Sequence, residues 1–275
     1  MPGAFLYQNR ILQGVGLTSG FATVTGLPLS NLIDDQPRTR SRFIGTSGAG
    51  GFYASLRIDL LAQVTVGCVA LVSSTLDSTL SPVLVRARLA TADATGLAGD
   101  AWDTGAILAQ TSAAANGNVV LVRGAGAATG RYMLIEVGAH AQQEIDIGRI
   151  IAGPLWLLQR AHAYGIEEGR LMLDRRDRNA LTGAEFPLPA LRNPRYAAFT
   201  LPVMTTAEAR GEHRTMLATI GAAGEVLWIP DVGLSQSELN LRSLWGAHAQ
   251  PGDLAGAART VLPVHARSFR ITERI

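Results

Sequence analysis

The sequence predicts a mainly β protein, in which an antiparallel β-sandwich or jelly roll is followed by a β-rich α+β domain with one substantial helix. Two observations predict the sandwich. Apolar and polar residues alternate with period two in several segments of the first half. The connectors between those segments are rich in Gly, Ala, Ser, Thr and Asp, which is typical of turns between short strands. The pattern also lacks the alternating strands and helices of a nucleotide-binding α/β fold.

The clearest strand pattern of the first half covers Phe52–Leu60, where alternate residues are apolar. Val64–Val72 is apolar on both faces, which predicts one strand covered from both sides. Three further segments have a strand pattern: Val83–Leu89, Asn118–Arg123 and Arg131–Val137.

The character of the sequence changes at Gly148–Pro154, so we predict two domains, a sandwich over residues 1–149 and a β-rich docking domain over residues 150–275. Strand patterns of the second domain cover Tyr196–Val203, Glu225–Ile229 and Val264–Arg274. Between the first two, Thr205-Thr-Ala-Glu208 is a capping-box pattern that predicts a helix over residues 206–220. Its apolar face consists of Ala209, His213, Met216, Leu217 and Ile220, with Gly221 and Gly224 placed to end it.

Composition excludes several functional classes. The net charge is only +2, and all 24 basic residues are Arg, scattered among acids, which does not favour a nucleic-acid surface. The single cysteine, Cys68, lies in an apolar run and is expected to be buried. No apolar run approaches the roughly 20 residues that span a bilayer, and no secretory leader is visible. The sequence therefore predicts a soluble protein made in the cytoplasm.

Catalytic and cofactor motifs are not found in the sequence. The five histidines form no metal-binding or catalytic pattern. The glycine-rich segment Gly124–Gly130 leads into a strand pattern instead of a helix, so we interpret it as a hairpin loop and not as a phosphate-binding loop. The adjacent carboxylates Asp34-Asp35 and Glu167-Glu168 have arginines nearby. We therefore predict no catalytic residue, no cofactor and no metal.

Two groups of residues are candidates for binding a partner. The first group lies in and after the charged stretch Arg170–Arg178. Arginine favours bidentate contacts at protein interfaces. The group combines arginines of this stretch with two later tryptophans: Arg170, Arg175, Arg176, Arg178, Trp228 and Trp245. The alternative for the charged stretch is a solvated hairpin. Trp102 is the candidate for stacking on a sugar ring, and its alternative is ordinary packing.

Three segments of the chain are distinctive when taken together: Gly26–Arg38, Ile147–Trp156, and Pro194–Asp231 with its "GEVLWIPD" ending. Together they resemble segments of the tail-tip proteins, distal tail or minor tail proteins, of long-tailed, siphovirus-like bacteriophages. They are similar to the family's "NLLDPxP" opening, its "IGRLFVGPAW" joint, and its "RPRYRxxxFxL" to "GxVLVIPDP" region. Their order and spacing cover nearly the whole chain. The chain departs from the family at Ile33-Asp-Asp and in its less regular arginine-rich stretch.

The resemblance implies a virion protein at the distal end of the tail, which combines a carbohydrate-binding-like sandwich with a β-rich docking domain. It implies a ring of identical copies, with six favoured and three as the alternative, in contact with tube, hub and fibre proteins. An alternative function is recognition of a host surface glycan by the sandwich. Because folds host many functions, the sandwich alone does not establish sugar binding.

Overall fold

The computed structural model describes residues 2–274 except positions 13, 21, 35, 37–38, 45–53, 77–82, 110–116, 125, 140–143, 161–164, 172–175, 179–181, 183–184, 188–192, 222–223, 249–254 and 258–263. Strands β1 to β12 are Ala4–Leu6, Gly16–Ser19, Ser41–Ile44, Ala54–Val66, Cys68–Val72, Val83–Ala90, Trp102–Asp103, Ile107–Leu108, Val119–Val122, Ala128–Ala139, Glu144–Ile147 and Arg149–Gly153. Strands β13 to β21 are Trp156–Leu157, Glu167–Arg170, Arg176–Arg178, Glu185–Pro187, Arg195–Met204, Glu225–Ile229, Leu244–His248, Ala255–Ala257 and Val264–Glu273.

Most of the first half is an antiparallel sandwich, and the prediction of a mainly β fold is confirmed. One layer is a sheet with the order β2-β4-β10-β6-β7, in which β8 also pairs with β6. The facing layer contains the pair β11-β3 and the sheet β12-β5-β9. Alternate residues of the two layers, such as Leu56, Ile135 and Leu71, are buried in a common core. The period-two pattern therefore reflects one face of each strand that packs inward.

The segment Val64–Val72, predicted as one strand, is two strands in different layers. Gly67 separates them: β4 pairs with β10 as far as Val66, and β5 pairs with β12 and β9 from Cys68. All five residues of β5 are buried, as expected for a strand covered on both faces. The segment Gly124–Gly130, apart from position 125, runs from the connection after β9 in one layer into the start of β10 (Ala128–Ala139) in the other. It is therefore a connection between sheets and not the hairpin loop predicted.

The second half is built on an eight-stranded sheet with the order β13-β1-β18-β19-β21-β17-β14, in which β20 also pairs with β21. This sheet is strongly curled. The rings of Phe5 in β1 and Phe199 in β17 have centroids 6.1 Å apart, although three strands lie between them in the sheet. The curled interior is a second core of aromatic and aliphatic side chains.

The predicted helix is present over residues 206–220, and its interior-facing side packs into this second core. It contains a π-helical turn, Glu208–Glu212, followed by helix α1 (His213–Ile220). Thr205 and Glu208 form the predicted capping box: Glu208 N donates to Thr205 Oγ1 at 3.2 Å, and Thr205 N donates to Glu208 Oε2 at 3.1 Å. Gly221 follows with a φ of 54°, in agreement with its predicted place at the helix end.

Several elements of the second half were not predicted, and two of them are important for the contact between the halves. The first is helix α2 (Gln236–Arg242), which packs against the sandwich: Asn240 Oδ1 accepts from Val120 N at 2.9 Å. The second is β1, which the sequence places in the first domain. It pairs with β18 and β13 and thus lies in the sheet of the second half.

A third cluster of buried side chains joins the two halves. Cys68, Ala70 and Ile151 from the sandwich pack against Leu227 and Trp245 of the large sheet. Sheet β12-β5-β9 therefore lies between two other sheets, which explains why β5 is apolar on both faces. The division into two domains near residues 149–154 stays a prediction.

Candidate functional site

The three segments that carry the family resemblance meet at one buried side chain, Arg149. It lies in β12 and is 3% exposed. Its Nη1 donates to the backbone oxygen of Leu32, in the 3₁₀ helix Leu29–Ile33 of the first segment, at 3.4 Å. Its Nε and Nη2 bind the carboxylate of Glu225, in the third segment, at 3.1 and 2.5 Å. Residues from three distant parts of the sequence thus form a single ion-pair cluster at the joint between the halves.

Glu225 accepts further hydrogen bonds that bring the N-terminal segment into this cluster. Asn9 Nδ2 donates to Glu225 Oε1 at 2.8 Å, and Trp245 Nε1 donates to Oε2 at 3.2 Å. Asn9 Oδ1 in turn accepts from Ala152 N in β12 at 3.1 Å. Because the buried Arg149 guanidinium is paired with a carboxylate that accepts two further hydrogen bonds, the cost of its desolvation is offset.

Two short antiparallel strand pairs follow one another along the same two chain segments at the edge of the large sheet. Strand β14 pairs with β17 up to Arg170 and Arg195, and Leu171 N then donates to Pro194 O at 2.8 Å. Further along the same two chain segments, β15 pairs with β16 in nearly the register that would continue from the pairing of β14 with β17. Among the described strands, β15 and β16 pair only with each other. We call residues 171–194 the hairpin arm.

The hairpin arm contains three of the arginines predicted at an interface. Arg176 and Arg178 lie in β15, whose backbone is described without its side chains, and Arg175 lies outside the described residues. Arg170 is exposed at the base of the arm, where its Nη1 donates to Asn193 O at 3.4 Å. The hairpin geometry that the sequence analysis left as the alternative is thus present, and the role of the arginines stays a prediction.

The tryptophans of the predicted interface are buried inside the chain. Trp228 is 0% exposed, and its ring stacks on Phe199 with centroids 4.8 Å apart. Trp245 is 1% exposed and packs between the two halves. Their apolar rings complete cores of this chain, so the prediction that they form an exposed interaction surface is wrong.

Trp102 is also buried, in the core of the sandwich. It is 8% exposed and pairs in register with Leu89 of β6. A sugar ring could not stack on a side chain enclosed in this way, so the structure favours the packing alternative. Tyr132 is a partly exposed aromatic ring of this half, with the Arg131 guanidinium carbon 4.9 Å from its ring centroid.

Two histidines of the second core have perturbed ionisation. Burial, with the nearby charges of Arg267 and His248, lowers the pKa of His213 to about 4. Burial and Arg267 also lower the pKa of His248. Both rings lie edge-on to Phe269 at 5.6 Å. These histidines are therefore neutral near pH 7 and are part of the packing.

Within the described ranges, no cluster of three or more His, Cys, Asp or Glu residues could hold a metal ion. In the same part of the chain, no helix is long and apolar enough to cross a membrane.

Comparisons with known proteins give a weak structural likeness. No family model and no curated protein matches the chain. A Ruminococcus gnavus GH29 fucosidase in complex with fucose is 14% identical over 54% of this chain and 26% of its own, with a TM-score of 0.39. The chain therefore matches only about a quarter of that protein.

Two carbohydrate-binding modules are similar to a comparable extent. The CBM32 of AlyQ, in complex with 4,5-unsaturated mannuronic acid, is 20% identical over 50% of this chain and 92% of its own, with a TM-score of 0.37. A chitosan-binding module of a Paenibacillus sp. IK-5 chitosanase/glucanase is 12% identical over 54% and 98%, also with a TM-score of 0.37.

Proposed function

We propose that this chain is a non-enzymatic structural protein of a bacteriophage tail tip, a distal tail or minor tail protein of the virion. The convergence of the three family-like segments on Arg149 is the observation that carries the proposal. Segments that are far apart in sequence meet at one joint, so they have a common structural role there. In this proposal the joint fixes the sandwich relative to a docking domain that contacts tube, hub and fibre proteins.

We propose that identical copies assemble into a ring, and the hairpin arm supports this part of the proposal. The number of copies is what the family resemblance implies, with six favoured and three as the alternative. An isolated two-stranded ribbon is only marginally stable in water, and among the described strands β15 and β16 pair with no third strand. A ring needs two different surfaces that fit each other. The arm supplies one of them, and a neighbouring copy covers it.

The test is the variant in which Arg175, Arg176 and Arg178 are all replaced by Ala. We expect weaker self-association of the purified chain in light scattering, with unchanged circular dichroism and melting. A matched control replaces three exposed arginines elsewhere, Arg10, Arg57 and Arg214, and should assemble like the wild type. Equal loss of assembly in both variants would show that general charge, and not the arm, is responsible.

A second candidate function is carbohydrate binding by the sandwich, and one described cluster favours it. Arg131 donates to both carboxylate oxygens of Asp59 at 2.8 and 2.9 Å, next to the partly exposed Tyr132. The hydrogen bond from Arg131 lowers the pKa of Asp59, which keeps it ionised as an acceptor. A carboxylate, a guanidinium and a phenol ring are groups that can orient a polar ligand.

A glycan array with the purified chain separates the two candidates. Binding of a glycan that is lost in Tyr132→Ala, while the melting temperature is kept, would favour the binding module. Ring assembly without any glycan signal would favour the structural role alone.

A further inference from the structure

Strand β9 ends the sheet β12-β5-β9, and helix α2 packs against it. Among the described strands, β9 pairs only with β5. The last strand of a sheet has a row of backbone N–H and C=O groups that point away from the sheet, and a further strand can pair with them. In this chain, side chains of α2 bind the backbone of one residue of that row, Val120.

Both backbone groups of Val120 are hydrogen-bonded to amide side chains. Its N–H donates to Asn240 Oδ1 at 2.9 Å, and its C=O accepts from Gln236 Nε2 at 2.7 Å. Val120 lies opposite Ala70 of β5 in the sheet, and since both of its backbone groups bind α2, they point away from that strand. In an antiparallel ladder, such a residue exchanges the same two bonds with one residue of the next strand. Asn240 and Gln236 therefore take the place of a partner strand.

The two amides form one unit at this edge. They are four residues apart on the helix, and Gln236 Nε2 also donates to Asn240 Oδ1 at 2.8 Å. Asn240 is fully buried, and its Nδ2 has no hydrogen-bond partner among the described residues. Leu239 beside it packs with Val120 in the third apolar cluster. Since apolar contact already holds the helix against the strand, the buried amides serve the backbone of Val120.

The sequence of β9 favours pairing with a second copy of itself when this edge is open. Val119–Val122 consists of four apolar residues with no charge and no proline, a composition typical of strands that associate edge to edge. In two antiparallel copies related by a two-fold axis at Val120, the N–H and C=O of one Val120 would bind those of the other. This pairing needs the positions that the side chains of Gln236 and Asn240 occupy.

We propose that Gln236 and Asn240 form an edge cap, which prevents a second copy of this chain from adding its own β9 at this edge. The edge cap supplies one acceptor and one donor to Val120, so the backbone of β9 is satisfied within a single chain. The inference does not depend on the proposed function, because β9 and the hairpin arm belong to different sheets.

The test is the double variant Gln236→Ala with Asn240→Ala in the full chain. It is made in the background of the triple arginine variant, so that association through the hairpin arm does not contribute. Sedimentation velocity measures association, and amide hydrogen exchange measures the protection of Val120. In dilute solution we expect the Val120 amide to exchange about tenfold faster than without the double substitution, the change that one lost hydrogen bond produces. At higher concentration we expect dimers in which this amide is protected again.

The matched control is Glu238→Ala with Arg242→Ala, in the same helix and at the same spacing. These two side chains bind Ser235 and Glu168 and not the backbone of β9. In the same background, the control should stay a single chain in which the Val120 amide exchanges slowly.

A second variant, Gln236→Met, keeps the length of the half-buried side chain and removes only its amide. It should associate more than its parent at equal concentration, and it decides the test if the double variant does not fold. Three results would overturn the inference: single chains of the capless variant at every concentration, equal association of the control, or dimers in which the Val120 amide is unprotected.

Discussion

At the scale of single residues, the carboxylate of Glu225 connects three parts of the chain. It accepts hydrogen bonds from Arg149, Asn9 and Trp245, which come from the sandwich, the N-terminal segment and the large sheet. None of these pairings has a local sequence signal, because the partners are far apart in the chain. The sequence could identify the segments by resemblance, but only the fold shows that they meet.

Breaking this buried pair should be strongly destabilising. Arg149→Met leaves the Glu225 carboxylate without its cationic partner, and we expect a loss of about 3 kcal/mol in the free energy of unfolding. Urea denaturation measures it. The matched control is Arg242→Met, which breaks the exposed pair with Glu168 and should cost less than about 1 kcal/mol. Equal costs for the two variants would contradict the role assigned to the joint.

His213 should make stability depend on pH. Burial lowers its pKa to about 4 in the folded chain, whereas the pKa of a solvated histidine in the unfolded chain is 6.5. The unfolded chain therefore binds more protons between these values, so this contribution is complete above pH 6.5 and is lost as the pH falls towards 4. The shift corresponds to about 3 kcal/mol. Unfolding measured at pH 7.5 and 4.5 should show a smaller loss in His213→Leu than in the wild type, and equal losses would contradict this assignment.

Residue type alone misplaced the three tryptophans. Trp102, Trp228 and Trp245 are buried, whereas the sequence suggested a sugar contact and an interface. An aromatic residue is suited to a core as well as to a binding surface. Which role it has depends on what lies over it, and that information is in the packing of the sheets.

At the scale of elements, the capping box is the local signal that the structure confirms in most detail. Thr205→Ala removes the hydroxyl that accepts from Glu208 N, so we expect a loss of about 1 kcal/mol in stability. Thr219→Ala is the control, because its hydroxyl is exposed and donates only to Thr215 O within the helix. Denaturant midpoints of the two variants measure the difference. A control as destabilised as the cap variant would show that the box does not stabilise the helix.

Strands with one buried face were predictable, and short or doubly covered ones were not. Val264–Glu273 has Arg267, Phe269 and Ile271 on its buried side, as the alternation indicated. The apolar run at Val64–Val72 gave no sign that the strand ends at Gly67, because residues on both sides of Gly67 continue the same pattern. Strand β1 is three residues long and pairs with β18, more than 200 residues away.

Helix α2 could have been predicted, because Ser235-Gln-Ser-Glu238 has the spacing of a capping box. In the structure, Ser235 Oγ donates to Glu238 Oε2 at 3.0 Å.

At the scale of the whole molecule, the sheets form successive layers that are fixed to one another by apolar packing and by the Arg149 cluster. Strands β15 and β16 of the hairpin arm follow β14 and β17 at the edge of the last of these layers. The sequence predicted the mainly β class from periodicity, whereas the order of the layers depends on long-range pairing that periodicity does not specify.

Cryo-electron microscopy of the purified full chain tests the central claim most directly. The account predicts a closed ring of six copies, or of three, in which residues 176–187 of each hairpin arm are covered by the neighbouring copy. The triple arginine variant is predicted to give fewer rings on the same grids. Single chains at every concentration, or rings in which the arms lie fully in solvent, would contradict the account.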